Sequence, residues 1–310
     1  MTATRIAYLG PQGTFCEAAL LTMPEAAEAG HVPAVSTQAA IDAVRAGEVD
    51  AALIPIENSV EGSVSVTLDE LATGVRLVIV DEVALPVRFA LMARPGTGVA
   101  GIRSLASHPH ALAQVRAWLA ANVPDATVIP SQSTAGAAAM LLQEPRPFDA
   151  AVAPRLSAER YGLEVLAENI GDTEDATTRF VLVQRPGAIP PPTGADKTTL
   201  SLFMRLDQPG ALMAILNEFA VRGVNLTRIE SRPTRKALGD YFFSVDLEGH
   251  VADARVSEAL MGLHRVCLDV RFLGSYPRHD GKQPVLREGV TDADFAGAQQ
   301  WLDRLKGSSQ

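Results

Sequence analysis

Between Arg185 and Lys197 the chain reads Pro186-Gly187-Ala188-Ile189-Pro190-Pro191-Pro192-Thr193-Gly194. Such a run can neither continue a helix nor pair inside a sheet, so residues 186–197 are expected to link two separately folded parts. Upstream, from Ile6 to about Val183, short apolar runs alternate with alanine-rich amphipathic stretches, the pattern of strand and helix in succession. Strands are expected at 6–9, 32–36, 51–56, 77–80, 89–93, 102–106, 127–130, 150–153, 162–170 and 179–184. Helices are expected at 17–21, 37–46, 67–72, 111–121, 133–142 and 155–161. This alternation predicts an α/β domain with a largely parallel sheet covered on both faces. Downstream the order is strand 198–206, a turn at Asp207-Gln208-Pro209-Gly210, helix 211–222, strands 225–233 and 241–247, helix 253–264 and strand 266–276. That βαββαβ order is ferredoxin-like, an α+β topology that hosts many functions. From about Pro277 the tail is polar, with one amphipathic stretch carrying Phe295, Trp301, Leu302 and Leu305.

The two-part reading agrees with a length of 310 residues, at about 150 residues per domain. A hydrophobic content of 47% with 20% charged residues excludes a disordered or collagen-like chain. With 27 Lys and Arg against 36 Asp and Glu, the net charge of −9 opposes any broad grip on nucleic acid or an anionic membrane. Any anionic ligand must therefore be held locally. Only Lys197, Lys236, Lys282 and Lys306 are lysines; a surplus of guanidinium suits forked carboxylate recognition, but GC-biased coding is the better explanation. Cys16 and Cys267 stand alone, with no Cys/His cluster, so neither a zinc site nor a disulfide framework is indicated and no metal is expected. Met1 to Arg5 runs straight into an apolar strand with no leader-like segment, and no later stretch approaches ~20 uninterrupted apolar residues. A cytoplasmic location is expected.

Five loops carry chemistry. Gly10-Pro11-Gln12-Gly13-Thr14-Phe15 can turn tightly and cap a helix at Thr14, whose free N–H groups suit an anion, although a plain strand-to-helix turn explains it as well. In Pro55-Ile56-Glu57-Asn58-Ser59-Val60-Glu61-Gly62-Ser63 an apolar strand gives way to carboxylate, amide and hydroxyl; Glu57 and Glu61 read either as functional or as solvated loop charges. Ser107-His108-Pro109-His110-Ala111-Leu112-Ala113-Gln114 enters a helix with His110 and Gln114 on one face, and its two histidines suit a cap or the surface better than a metal. Ser131-Gln132-Ser133-Thr134-Ala135-Gly136 is another hydroxyl-bearing helix entry. Glu174-Asp175-Ala176-Thr177-Thr178-Arg179-Phe180 puts two hydroxyls and a guanidinium where a loop becomes a strand. No Walker loop, dinucleotide fingerprint or serine elbow is present. What remains is a cleft able to bind a small polyanion and donate a proton without metal or cofactor.

Taken together, the Gly10–Phe15, Pro55–Gly62, Ser107–Gln114 and Thr178-Arg179-Phe180 segments resemble the prephenate dehydratase family, from Ile6 to about Tyr276. The second part resembles an ACT domain, through Gly210-Ala211-Leu212-Met213 and Glu230-Ser231-Arg232-Pro233. The resemblance implies residues 1–185 as a two-lobed catalytic domain like a type II periplasmic binding protein, with hinges near 83–88 and 171–180. It implies residues 198–277 as a regulatory ACT domain and 278–310 as a tail. It further implies a lyase of phenylalanine biosynthesis that converts prephenate to phenylpyruvate, with no cofactor. Thr178 is then expected to protonate or polarise the departing hydroxyl, with Glu57, raised in pKa by a closed cleft, as its rival. Asn58, Ser59 and Gln114 would position the substrate, with Thr14, Gly62, Ser133, Thr134, Thr177, Arg179 and Phe180 completing the site. His110 and Cys16 stand where relatives commonly carry an amide and a hydroxyl, and are left outside the catalytic set. L-Phenylalanine is the expected effector, at Gly210, Ala211, Leu212, Met213, Asn225, Leu226, Glu230 and Ser231, at a subunit boundary of a homodimer or homotetramer. An arogenate dehydratase and a catalytically silent amino-acid sensor are the alternatives.

Overall fold

The computed structural model describes residues 4–205, 208–235 and 240–307. Leu206 and Asp207, in the expected strand and turn, lie outside the described residues, as do the last three residues of the tail. The chain begins β1 (Arg5–Leu9), α1 (Phe15–Leu20), β2 (Gly30–Ala34), α2 (Thr37–Ala46), β3 (Ala51–Asn58), β4 (Gly62–Ser63), α3 (Ser65–Ala72) and β5 (Val78–Pro86). It continues through β6 (Phe89–Ala93), β7 (Ser104–Ser107), α4 (Pro109–Gln114), α5 (Arg116–Asn122), β8 (Thr127–Pro130) and α6 (Thr134–Met140). Then come β9 (Ala150–Pro154), α7 (Arg155–Tyr161), β10 (Glu164–Ala167) and β11 (Thr177–Gln184). Two compact units result, one of residues to Thr67 with Val83–Leu182, the other of Leu68–Glu82 with residues from Val183 onward.

Instead of one largely parallel sheet, this part of the chain forms two mixed sheets, one per lobe. The first has the order β2-β1-β3-β11-β5, with β4 on β3; the second has β10-β6-β9-β7-β8. In the second, β6 alone runs against the rest: it is antiparallel to β9 and β10, while β7 is parallel to β8 and β9. Strands joined by a helical crossover come out parallel. β6 follows β5 after only Val87 and Arg88 and, with no helix between them, passes into the second sheet.

Local chemistry explains the elements. Helix α2 starts where Ser36 Oγ accepts the Ala39 N–H at 3.1 Å and stops at Gly47, which has φ +76°. Between them Ala40, Ile41 and Val44 form a fully buried stripe, the two larger side chains contributing about 1.5–3 kcal/mol each. The helix expected at 111–121 is instead two short ones. The Asp172 carboxylate accepts the N–H groups of Ala117 and Trp118, at 3.0 and 3.3 Å, and caps a fresh start after Val115.

In the second unit β12 (Asp196–Phe203), α8 (Ala211–Ala220), β13 (Leu226–Pro233), β14 (Tyr241–Glu248), α9 (Ala254–Val266) and β15 (Asp269–Pro277) give the expected βαββαβ order. The sheet is antiparallel, in the order β13-β14-β12-β15. Ile215 and Phe219 of α8 and Val256, Ala259 and Leu263 of α9 pack into one core with Val245 and Leu247. Asp196 and Lys197, assigned by composition to the linker, already belong to β12 and are buried. The Asp196 carboxylate accepts the N–H groups of Thr193 and Gly194, at 2.8 and 2.9 Å, which turns the chain into the strand. Helix α10 (Asp292–Leu305) carries a Thr291/Asp294 capping box and buries no residue.

Candidate active site

A cavity of about 1130 Å³ opens within the first unit, at the loops after the strands of both lobes. The first lobe supplies Leu9 to Gln12, Thr14, Phe15 and residues of the Pro55–Val66 segment; the second supplies His108, His110, Gln114 and Gln132 to Thr134. Of the expected residues, Thr14, Asn58, Gly62, Gln114, Ser133, Thr134, Thr178 and Phe180 line it. Glu57, Ser59, Thr177 and Arg179 do not.

Strand alternation separates the two groups. On β11, Thr178 and Phe180 face the cavity, so Arg179 between them must face the other way. There Arg179, nearly buried, donates from Nη1 to Glu57 Oε2 at 3.2 Å. The guanidinium expected to grip a substrate carboxylate and the carboxyl expected to rival Thr178 as proton source are thus paired with each other outside the lining. Ser59 and Thr177 are likewise engaged: Ser59 N–H donates to the Thr177 carbonyl at 2.9 Å, and Thr177 N–H to Ser59 Oγ at 3.0 Å.

At the wall of the cavity Asn58 Nδ2 donates to Thr178 Oγ1 at 2.8 Å. Its Oδ1 accepts the N–H groups of Val60 and Glu61, at 2.8 and 2.9 Å. Two backbone donors fix which end of the amide is oxygen, so the amino end must face Thr178. The Thr178 hydroxyl therefore accepts from Asn58 and keeps its own proton free to donate.

The turn into α1 is tied down by side chains of the protein. Thr14 Oγ1 accepts the Glu17 N–H at 3.2 Å and donates to the Leu9 carbonyl at 2.8 Å. The buried Glu17 carboxylate accepts the Gly13 N–H and, at 2.7 Å, Arg160 Nη2. The Glu17 carboxylate thus braces the turn that leads into α1, while Thr14 stays in the cavity lining. Helix α7 holds the same loop through Ser157 Oγ to the Gly13 carbonyl and Tyr161 OH to the Gln12 carbonyl, at 2.8 and 2.7 Å. Gly13 has φ +86°, and a Cβ there would lie 2.8 Å from Ser157 Cα, so only glycine fits. At α6, Ser133 Oγ caps the Gly136 N–H at 2.8 Å.

On the opposite rim Gln114 Nε2 donates to Glu61 Oε1 at 3.2 Å, and His110 Nδ1 lies 3.7 Å from Glu61 Oε2. His108 Nδ1 accepts the His110 N–H at 3.3 Å. Burial, then the neighbouring His110, holds the His108 pKa below the ordinary imidazole value. The residues missed by sequence reasoning are chiefly Phe15, Ser65, His108 and Tyr161. All but Tyr161 sit in or beside the loops already singled out, and their position just after strand ends was the available signal.

Cys16 also touches the cavity, but burial pushes its thiol up to about 12, and Cys267 is raised to about 11, again chiefly by burial. Thiol chemistry needs the thiolate. Iodoacetamide at about pH 8 is therefore expected to leave both cysteines unmodified in the folded protein and to label both in urea, as read by mass spectrometry. Among the described residues no group of three His, Cys, Asp or Glu is placed to hold a metal ion. No helix among them is long and apolar enough to cross a membrane.

The second unit has its own smaller pocket, of about 310 Å³, lined by Gly210 to Met213 and Ser231 with Met204, Tyr241 and Phe243. Glu230 is absent from its lining because adjacent residues on β13 face opposite ways, and its carboxylate lies 3.8 Å from Arg232 Nη1. Asn225 and Leu226, at the other end of that strand, are not brought to this pocket within one chain.

Fold and sites together define a two-lobed α/β protein with a large cleft, followed by an α+β domain that carries a second, smaller pocket. The family model for prephenate dehydratase matches residues 6–188, and that for the ACT domain matches residues 198–265. The chain is 46% identical to a prephenate dehydratase of Amycolatopsis methanolica, covering 99% of each. It is 50% identical to one of Mycobacterium tuberculosis H37Rv, covering 97% of this chain and 94% of the relative. Among solved structures, prephenate dehydratase in complex with L-Phe from Arthrobacter aurescens superposes with a TM-score of 0.94 at 51% identity, covering 98% of this chain and 100% of that one. The chain belongs to the prephenate dehydratase family, with a C-terminal ACT domain.

Proposed function

We propose that this protein is a prephenate dehydratase, a carbon–oxygen lyase of phenylalanine biosynthesis regulated by L-phenylalanine. The bond from the ring to its carboxylate breaks and carbon dioxide leaves. That electron pair moves through the diene and expels the ring hydroxyl as the ring becomes aromatic. Prephenate dianion plus one proton thus gives phenylpyruvate anion, carbon dioxide and water. The hydroxide cannot leave unassisted, and the observation that carries this reading is the Asn58 to Thr178 hydrogen bond at the cleft wall. Its direction leaves the Thr178 proton to donate. An aliphatic hydroxyl is a weak acid, so Thr178 polarises the leaving oxygen and relays a proton to it. Asn58 orients Thr178, while the Glu57–Arg179 pair braces the strand behind it. Closing the lobes about hinges near 83–88 and 171–180 excludes water, which favours loss of carbon dioxide from a charged carboxylate.

In this reading residues 1–185 carry the chemistry and residues 198–277 the regulation. L-Phenylalanine occupies the pocket of Gly210, Ala211, Leu212, Met213 and Ser231, its ring against Phe243 and Met204. Asn225 and Leu226 of a second copy complete the site, which makes the active form a homodimer or homotetramer in the cytoplasm. The test is phenylpyruvate formation from prephenate by purified protein, with arogenate in parallel and each repeated with L-phenylalanine. Turnover of prephenate, consuming one proton each time and altered by phenylalanine, is expected. Folded protein that turns over neither substrate would instead be an amino-acid sensor.

A further inference from the structure

A dianionic substrate poses a problem for this cleft. Among the described residues that line it there is no lysine or arginine; the groups able to carry positive charge are His108 and His110, and the one carboxylate is Glu61. Building on the reading that the substrate is prephenate, we propose that the His110 ring and the Gln114 amide form the subsite for one substrate carboxylate. The Glu61 carboxylate occupies that subsite until the substrate displaces it.

Glu61 sits as a bound carboxylate would, one oxygen on Gln114 Nε2 at 3.2 Å and the other 3.7 Å from His110 Nδ1. The base of its turn is fixed, since Asn58 Oδ1 holds the Val60 and Glu61 N–H groups and Gly62 has φ +81°. Its side chain is 37% exposed and can swing away. Gln114 offers only its amino end, because its Oε1 is buried without a partner. The charged and titratable groups facing His110 are Glu61, from the turn after β3, and His108, next to its own helix. His108 is a poor cation, with Nδ1 already accepting the His110 N–H and its charged form disfavoured by burial. His110, at 65% side-chain exposure, stands open to solvent beside Glu61.

The consequence is that prephenate binding is coupled to protonation of His110, since a carboxylate pairs with imidazolium and not with the neutral ring. The substrate carboxylates titrate far below this range. Steady-state kcat and KM for prephenate over about pH 5.5–8.5, for the full-length protein, His110→Asn and Glu61→Gln, test the proposal. For the unmodified protein KM should rise with pH, by about 10- to 100-fold once the charge-assisted bond is lost, while kcat changes little. His110→Asn should start from the raised KM at low pH and show a flat profile, with His110→Gln behaving alike. Glu61→Gln should act in the opposite sense and lower KM, because the competing anion is gone. A His110→Asn profile that keeps the original rise, or a Glu61→Gln KM raised like that of His110→Asn, overturns the proposal. Absence of prephenate turnover by the unmodified protein at every pH overturns the substrate assignment as well, and so is told apart from failure of the subsite alone.

Discussion

Thr178→Ala is expected to lower kcat for prephenate by about 100- to 10,000-fold, with KM changed far less. The hydroxyl lines the cleft and accepts from Asn58 Nδ2 at 2.8 Å, which leaves its own proton to donate. Its interaction strengthens as charge develops on that oxygen, which is why the loss falls on kcat. Thr178→Ser, which keeps the hydroxyl, should retain most of the rate. Asn58→Asp is the sharper companion: it preserves an acceptor for the Val60 and Glu61 N–H groups but presents a second acceptor to Thr178. The threonine proton would then turn to the aspartate and kcat should fall nearly as far as in Thr178→Ala. If Thr178→Ala stays within about tenfold of the unmodified rate, the proton reaches the leaving group by another route and Thr178 is only part of the wall.

The largest loss of stability is expected from Lys197→Met, about 3–5 kcal/mol in urea unfolding. The Glu82 side chain is completely buried, and Lys197 Nζ donates to both of its oxygens at 2.9 and 3.0 Å. The His279 N–H also donates to Oε1, at 3.1 Å, with the ring Nδ1 2.9 Å from the same oxygen. Methionine keeps the length of the side chain but strands a carboxylate in the interior. Adding Glu82→Gln should recover most of the stability, since replacing both charges of a buried pair is far milder than removing one. A Lys197→Met variant no less stable than this double variant would show that Glu82 does not need the lysine for its burial.

Some elements were legible because their signals are local. Helix α2 has its cap at Ser36, its apolar stripe and its terminating glycine within twelve residues, and the strand of Phe89–Ala93 is a closed apolar run. The break between α4 and α5 was not legible, because the carboxylate that causes it, Asp172, is distant in sequence from the N–H groups it caps. The same contrast holds at the cleft. Strand ends followed by Gly, Asn, Ser and Thr marked the loops that line it, yet Thr178, Arg179 and Phe180 looked like one functional unit. Burial of Arg179 against Glu57 divides them, and a position in the lining is earned by the face of a strand, not by proximity to a motif.

By itself, then, the sequence determined the division into an α/β part and a βαββαβ part, the order of their elements and the loops that meet at the cleft. These follow from periodicity, turn residues and caps, whose physics acts over a few neighbouring residues. Only the tertiary structure decided that Glu17 pairs with Arg160, that Arg179 turns from the cleft, and that Glu61 lies on Gln114 and beside His110. Each of those outcomes pairs groups remote in sequence, and a charge leaving water goes to whichever partner packing brings within reach, which no local pattern encodes.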